Sequence, residues 1–176
     1  MIIRPARTDD LAPLSALARQ TYADAFGHSF SAPDLAAHLA QHLADGYFGH
    51  ASREDVFLLA EAEGRLIGFA QFGPRRIAVP APSPDDEELR RIYVLAEFQN
   101  RGIGRQLMES ALDHPRLKAA GNIYLDVWEK NRGARRLYER YGFKVIGAHD
   151  LATASGTASD QDLIMVRRQQ PTERAS

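Results

Sequence analysis

The segment Gln99-Asn100-Arg101-Gly102-Ile103-Gly104 follows the apolar run Ile92-Tyr93-Val94-Leu95 and opens a helical pattern. Strand, glycine-rich turn and helix, in that order, aim several backbone N–H groups and the positive end of a helix dipole at one point. A phosphate or pyrophosphate is the natural occupant. The glycines let it approach closely, because neither carries a Cβ. A nucleotide site is the weaker alternative. No Gly-Lys-Ser/Thr follows, as a P-loop requires, and no third glycine completes a dinucleotide fingerprint.

A second constellation lies downstream, from Leu125 through Asn131-Arg132-Gly133-Ala134 to Tyr138-Glu139-Arg140-Tyr141-Gly142-Phe143. Asn131 follows a strand-like run and can cap the next helix. Asn131, Ala134 and Tyr138 share one face of that helix, and Gly142 supplies the left-handed turn that ends it. The same spacing also describes a core aromatic behind a plain helix cap. Glu88 begins the strand before the glycine turn. Strand alternation groups it with Arg90, Ile92 and Val94 unless a bulge breaks the parity. Its neighbours Asp85, Asp86 and Glu87 suit a solvated loop.

These residues need a scaffold, and the chain has the means to build one. At 176 residues, 44% of them hydrophobic, it is an ordinary globular length for one domain. A net charge of −1 without a basic block argues against nucleic-acid binding. With no cysteine, disulfides and thiolate chemistry are excluded. No metal site is expected: HExxH is absent, and His38 and His42 read as surface histidines of one helix. No segment approaches the roughly 20 apolar residues of a membrane span. The opening Met1–Pro5 lacks a signal-peptide core, so the expected location is the cytoplasm.

Ile2–Ala6 reads as a strand, Thr8-Asp9-Asp10 as a helix start with Thr8 capping, and Leu11, Leu14, Leu17, Ala18 and Tyr22 as its apolar stripe. A second helix follows Ser31 and breaks at Gly46 and Gly49. Asp55–Glu61 and Arg65–Phe72 form a hairpin around Glu63-Gly64, and residues 74–87 form a loop. Strands Leu89–Leu95, Asn122–Trp128, Phe143–Ile146 and Asp162–Val166 alternate with helices after Gly102 and after Asn131, and Pro115 stops the first of these. A small-residue loop, Ala152 to Ser159, precedes the last strand.

Gln99-x-x-Gly102-x-Gly104 followed by Asn131-x-x-Ala134-x-x-x-Tyr138-x-x-x-Gly142-Phe143 resembles the GNAT superfamily of acetyl-CoA-dependent N-acetyltransferases, closely over residues 88–147. The resemblance implies an α+β (mixed α/β) fold with a central, mostly antiparallel sheet of about seven strands. That sheet is splayed between the fourth and fifth strands and flanked by about four helices. It implies one acetyltransferase domain over residues 1–168, with 169–176 a frayed tail. The cofactor implied is acetyl-CoA. Its contacts would be Ile92, Tyr93 and Val94 along the pantetheine, Gln99, Asn100, Arg101, Gly102, Ile103, Gly104 and Arg105 at the pyrophosphate, and Asn131, Ala134 and Tyr138 on the helix face. A backbone N–H near Val94 would polarise the thioester, a type of donor worth roughly 3–4 kcal/mol. Tyr138 would protonate the departing thiolate, and Glu88 would take the amine proton or orient the amine.

A narrower resemblance, to Pai-type spermidine/spermine acetyltransferases, rests on Gln20–Phe26, Glu88–Val94, Gly147-Ala148-His149 and Gln161–Met165. It implies a small-molecule primary amine, polyamines included, with Tyr22, Phe26, Glu88 and Trp128 around it and Asp24 and Asp162 as further contacts. The loop Ala152 to Ser159 departs from that pattern by holding no acid. Two other functions fit the same motifs, a catalytically silent acyl-CoA-binding regulatory module and a protein or peptide N-acetyltransferase. No membrane or nucleic-acid partner is expected, and a homodimer is a possible assembly.

Overall fold

The computed structural model describes residues 1–27, 31–43, 45–150 and 161–169, and not the side chains of Phe26, His42 and Asp45. Its strands are β1 (Ile2–Pro5), β2 (Val56–Ala62), β3 (Arg65–Pro74), β4 (Glu87–Val94), β5 (Asn122–Trp128), β6 (Lys144–Asp150) and β7 (Gln161–Arg168). They form one seven-stranded sheet in the order β1-β2-β3-β4-β5-β7-β6. Its helices are α1 (Leu11–Phe26), α2 (Ala32–His42), α3 (Asp45–Ala51), α4 (Ile103–Asp113), α5 (Pro115–Lys118) and α6 (Arg132–Arg140). No helix among the described residues is long and apolar enough to cross a membrane. The contacts divide the chain into two compact units, one of Met1–Gly73 with Arg91–Asp113, the other of Pro74–Arg90 with the chain from His114 onward.

In the first unit, the α1 start departs from expectation. Thr8 begins a single 3-10 turn rather than the helix, and the Asp10 carboxylate accepts from Arg7 N at 2.7 Å. The Arg4 guanidinium hydrogen-bonds both Asp10 oxygens, at 2.7 and 2.8 Å, and holds that carboxyl down to about 2. The hairpin is as expected: Glu63 (φ 52°) and Gly64 (φ 74°) are both left-handed, the signature of a type I′ turn, and Ala62 pairs with Arg65.

Two short helices, α3 and α5, join the four expected. Gly46 and Gly49 disfavour α3, yet it forms because Phe48 is fully buried, its ring 5.7 Å from Phe57 and 6.4 Å from Phe69. Tertiary packing overrides the local penalty. Gly68 sits where a Cβ would fall 2.8 Å from the Tyr93 carbonyl oxygen, so β3 and the end of β4 approach at a distance only glycine permits.

In the second unit, β5 pairs antiparallel with β7 over seven residues, from Asn122↔Arg168 to Trp128↔Asp162. On its other side the parallel register with β4 covers only Glu87↔Ile123 and Glu88↔Tyr124, the short pairing a splayed sheet requires. Ile123, Leu125, Val127, Phe143 and Met165 are buried, whereas every residue of β6, the edge strand, is exposed. Pro115 opens α5 behind His114, whose Nδ1 accepts from Arg116 N at 3.2 Å. The expected loop Ala152 to Ser159 and the tail from residue 170 lie outside the described residues.

Candidate active site

The candidate residues are shared between the two units. In the first, Gln99 bonds back to the strand it follows, its Nε2 donating to the Val94 carbonyl at 3.1 Å. The turn then passes through left-handed Asn100 (φ 60°) and Gly102 (φ 79°). A Cβ on Gly102 would meet nothing within 4 Å, so the turn opens onto space and its glycine answers a backbone need. Gln106 N donates to Gly102 O at 3.0 Å, which makes Gly102 the helix cap. The N–H groups of Gly102, Ile103, Gly104 and Arg105 therefore precede the helical ladder. The Arg101 guanidinium stands 5.3 Å from the Phe98 ring, and Arg105 lies 3.9 Å from Glu109, both pairs near solvent. Four unladdered N–H groups between two exposed cations suit the pyrophosphate of coenzyme A. On β4, Ile92, Tyr93 and Val94 are all half-buried, and Leu95 N is tied to Ile67 O at 2.9 Å.

In the second unit, Asn131 caps α6, its Oδ1 accepting from Ala134 N at 3.1 Å. The far end is a Schellman motif: Phe143 N donates to Tyr138 O at 3.2 Å, Gly142 N to Glu139 O at 3.1 Å, and Gly142 has φ 83°. The Tyr138 and Phe143 rings meet at 6.0 Å, the hydrophobic contact that accompanies such a cap. Tyr138 is thereby held as a phenol only 8% exposed.

Glu88 is buried, and both of its oxygens are engaged. One lies 2.6 Å from Arg90 Nη1 in an ion pair; the other accepts from Arg76 N at 2.6 Å and Ile77 N at 2.9 Å. Arg90 in turn donates to Pro74 O at 2.6 Å. This ties down the start of the expected loop of residues 74–87. Within the acidic run Asp85 is exposed, as a solvated loop residue would be, whereas Glu87 is half-buried and pairs with Arg116 at 2.7 Å. Asp86 is 3% exposed and accepts from Ser83 N and Asn122 Nδ2, each at 2.8 Å.

Register places Glu88, Tyr124, Asp126, Trp128, Asp162 and His149 on one face of the second unit. His149 Nε2 lies 3.7 Å from an Asp162 oxygen and 3.9 Å from an Asp126 oxygen. Burial, followed by the Asp126 charge, pushes the Asp162 carboxyl up to about 6. Asp126 and His149 were not among the expected site residues. The period-2 step from Asp126 to Trp128 was the available signal; the pairing of β7 between β5 and β6 was not visible. Trp128 is half-buried, with Lys130 Nζ 5.8 Å over its ring. In the first unit, Tyr22 stacks on His38 at 4.6 Å, so His38 is a packing residue of α2, while the Phe26 side chain lies outside the described residues.

A helix-capping anion cradle after a strand, and a capped helix holding a phenol on a mixed seven-stranded sheet, mark an enzyme that transfers an acyl group from coenzyme A. The family model described as the acetyltransferase (GNAT) family matches residues 17–143, and the chain belongs to that family. It is an N-acetyltransferase that uses acetyl-CoA. The chain is 30% identical over 142 residues to an uncharacterised N-acetyltransferase of Lactobacillus delbrueckii subsp. lactis, covering 80% of this chain and 82% of that one. It is 32% identical over 93 residues to the spermine/spermidine N(1)-acetyltransferase of Bacillus subtilis, covering 50% of this chain and 59% of that one. Its fold matches that of the PaiA N-acetyltransferase from Thermoplasma acidophilum, solved in complex with coenzyme A, with a TM-score of 0.71 over 96% and 100% of the two chains at 23% identity. The family, fold and cofactor implied by the sequence motifs are borne out.

Proposed function

We infer that the enzyme acetylates a primary amine of a small molecule by direct attack of the amine on acetyl-CoA within a ternary complex. The observation that carries this reading is α6, whose capped start and Schellman end fix Tyr138 as a largely buried phenol on the helix that carries the Asn131-x-x-Ala134 motif. The N–H groups from Gly102 to Arg105, with Arg101 and Arg105 beside them, hold the pyrophosphate. Ile92 to Val94 lie along the pantetheine, and an N–H near Val94 polarises the thioester carbonyl. Asn131 and Ala134 border the cofactor, and Tyr138 gives its proton to the departing thiolate as the amine nitrogen bonds to the acetyl carbon. The amine proton leaves to solvent. Without cysteine in the chain, a thiol-linked enzyme intermediate has no carrier. Glu88 holds the loop behind the site rather than serving as a free base. Polyamines, the acceptors in the name of the Bacillus subtilis relative, are one class of amine that this reading puts to the test.

The test is release of free thiol from acetyl-CoA across amines, polyamines, amino acids and peptides, with Tyr138→Phe alongside wild type. The variant is expected to lose roughly 100-fold or more in kcat while still binding coenzyme A. A wild type that binds coenzyme A and acetylates nothing in the panel refutes the enzyme reading, and a fully active Tyr138→Phe refutes the role of the phenol.

A further inference from the structure

Beneath α3, four polar side chains of the first unit form a chain whose outer end consists only of donors. Gln71 is fully buried, and its neighbours dictate which way its amide points. Its Nε2 donates to Asp55 Oδ2 at 2.7 Å and to the Tyr47 hydroxyl at 3.0 Å, using both amide hydrogens. Its Oε1 accepts from Arg91 Nη1 at 2.7 Å. A carboxylate only accepts and a guanidinium only donates, so the amide has no other orientation.

Arg91 Nη1 also donates to the Tyr47 hydroxyl at 3.0 Å, and its guanidinium carbon stands 5.1 Å over the Tyr47 ring. The phenol oxygen therefore receives two hydrogen bonds, which occupies both of its lone pairs and leaves its proton to be donated outward. Among the described residues nothing accepts that proton, and no carboxylate lies within ion-pair reach of Arg91. The neighbouring Arg90 is treated differently, with Glu88 at 2.6 Å. Asp55, the one acid among these four side chains, is engaged by Gln71 and lodged against Gly73, where a Cβ would fall 2.1 Å from its Oδ1.

Arg91 is thus a half-buried cation, positioned by an amide and a phenol, with Nε and Nη2 unused among the described residues and a donor O–H beside them. A guanidinium fork with an adjacent hydroxyl donor recognises a carboxylate.

We propose that Tyr47 and Arg91 bind a carboxylate on the acceptor, so that the enzyme prefers an amino carboxylic acid over a polyamine. This rests on the acetyl-transfer reading above. Arg91 stands three residues before Val94 on β4, a spacing of about 10 Å along a strand. The acceptor is then a chain with its amine toward the thioester and its carboxylate at Arg91. A diamine or spermidine brings a second ammonium to the same guanidinium and is repelled.

The experiment compares ω-amino carboxylates, from glycine to 6-aminohexanoate, each with the diamine that replaces the carboxylate by an ammonium, and adds spermidine. Acetylation is measured for wild type, Tyr47→Phe, Arg91→Lys and Arg91→Gln. In parallel, binding of 6-aminohexanoate to the protein saturated with coenzyme A is followed by calorimetry, where no transfer occurs. A charge-assisted pair predicts a preference for the carboxylate of roughly 10- to 100-fold in kcat/KM, carried by KM. Tyr47→Phe keeps the ring under the guanidinium and should lower that preference several-fold, and Arg91→Gln should abolish it. Diamines or spermidine used as well as the amino carboxylates, or a preference that survives Tyr47→Phe and Arg91→Gln, overturns the proposal while leaving the acetyltransferase standing. No turnover of any amine, together with calorimetric binding that Arg91→Gln abolishes, supports the carboxylate site and removes the transfer reading instead. Absence of both turnover and binding overturns it.

Discussion

Glu88 accepts from two consecutive backbone N–H groups, those of Arg76 and Ile77, while its other oxygen faces the buried Arg90 guanidinium at 2.6 Å. Glutamine at this position retains one carbonyl oxygen and must turn its NH2 group toward either a guanidinium or two amide hydrogens. One side of the anchor is lost whichever way it turns. We expect Glu88→Gln to destabilise the protein by about 3 kcal/mol, as breaking a buried pair does, and to raise the amine KM as the segment from Pro74 loosens. The acid limb of the pH–rate profile should keep its position, because no catalytic base has been removed. A thermally intact variant that has lost that limb would return Glu88 to the role of base. The chain places Glu88 correctly at a strand start and alternation puts Arg90 beside it, but its two backbone partners come from eleven and twelve residues earlier, beyond what alternation along one strand can report. Asn131 was legible as a cap because its partner, Ala134, is three residues away.

At the level of elements, features closed by local bonds were legible, and those closed by packing were not. The type I′ hairpin at Glu63-Gly64 and the glycine-ended α6 both follow from residues inside the turn. By contrast α3 exists against its own glycines, because Phe48 reaches Phe57 and Phe69. The α6 terminus allows a clean test, since a Cβ on Gly142 would meet nothing within 4 Å at φ 83°. The cost of Gly142→Ala is then conformational alone, about 1–2 kcal/mol. For a chain of this size that lowers the melting temperature by several degrees. Because the Schellman bonds and the Phe143 ring hold Tyr138, kcat should fall as well, though less than in Tyr138→Phe. Calorimetric melting and steady-state rates measure the two effects. An unchanged melting temperature would show that the left-handed turn does not constrain the helix.

For the whole molecule, the strand order β1-β2-β3-β4-β5-β7-β6 could not be read from periodicity, because pairing a last strand between two earlier ones is a non-local choice. The motif resemblance implied a mostly antiparallel sheet of about seven strands splayed between the fourth and fifth, without this order, and it also named the ligand of the glycine turn. That assignment predicts how global stability responds to ligands, since a molecule that binds only the folded state stabilises it in proportion to RT ln(1 + [L]/Kd). Coenzyme A at a hundred times its Kd should add about 2.7 kcal/mol, a rise of roughly 5–10 °C in melting temperature. Pantetheine keeps the arm proposed to run along β4 but lacks the pyrophosphate, so at equal concentration it should protect far less. ATP and NAD carry phosphates without that arm and should leave the melting temperature nearly unchanged. If the cradle from Gly102 to Arg105 is specific for coenzyme A rather than for phosphate in general, the four ligands separate in that order. Equal protection by ATP would mean that the turn is a general phosphate site and that the pantetheine contacts at Ile92 to Val94 contribute nothing to the choice of cofactor.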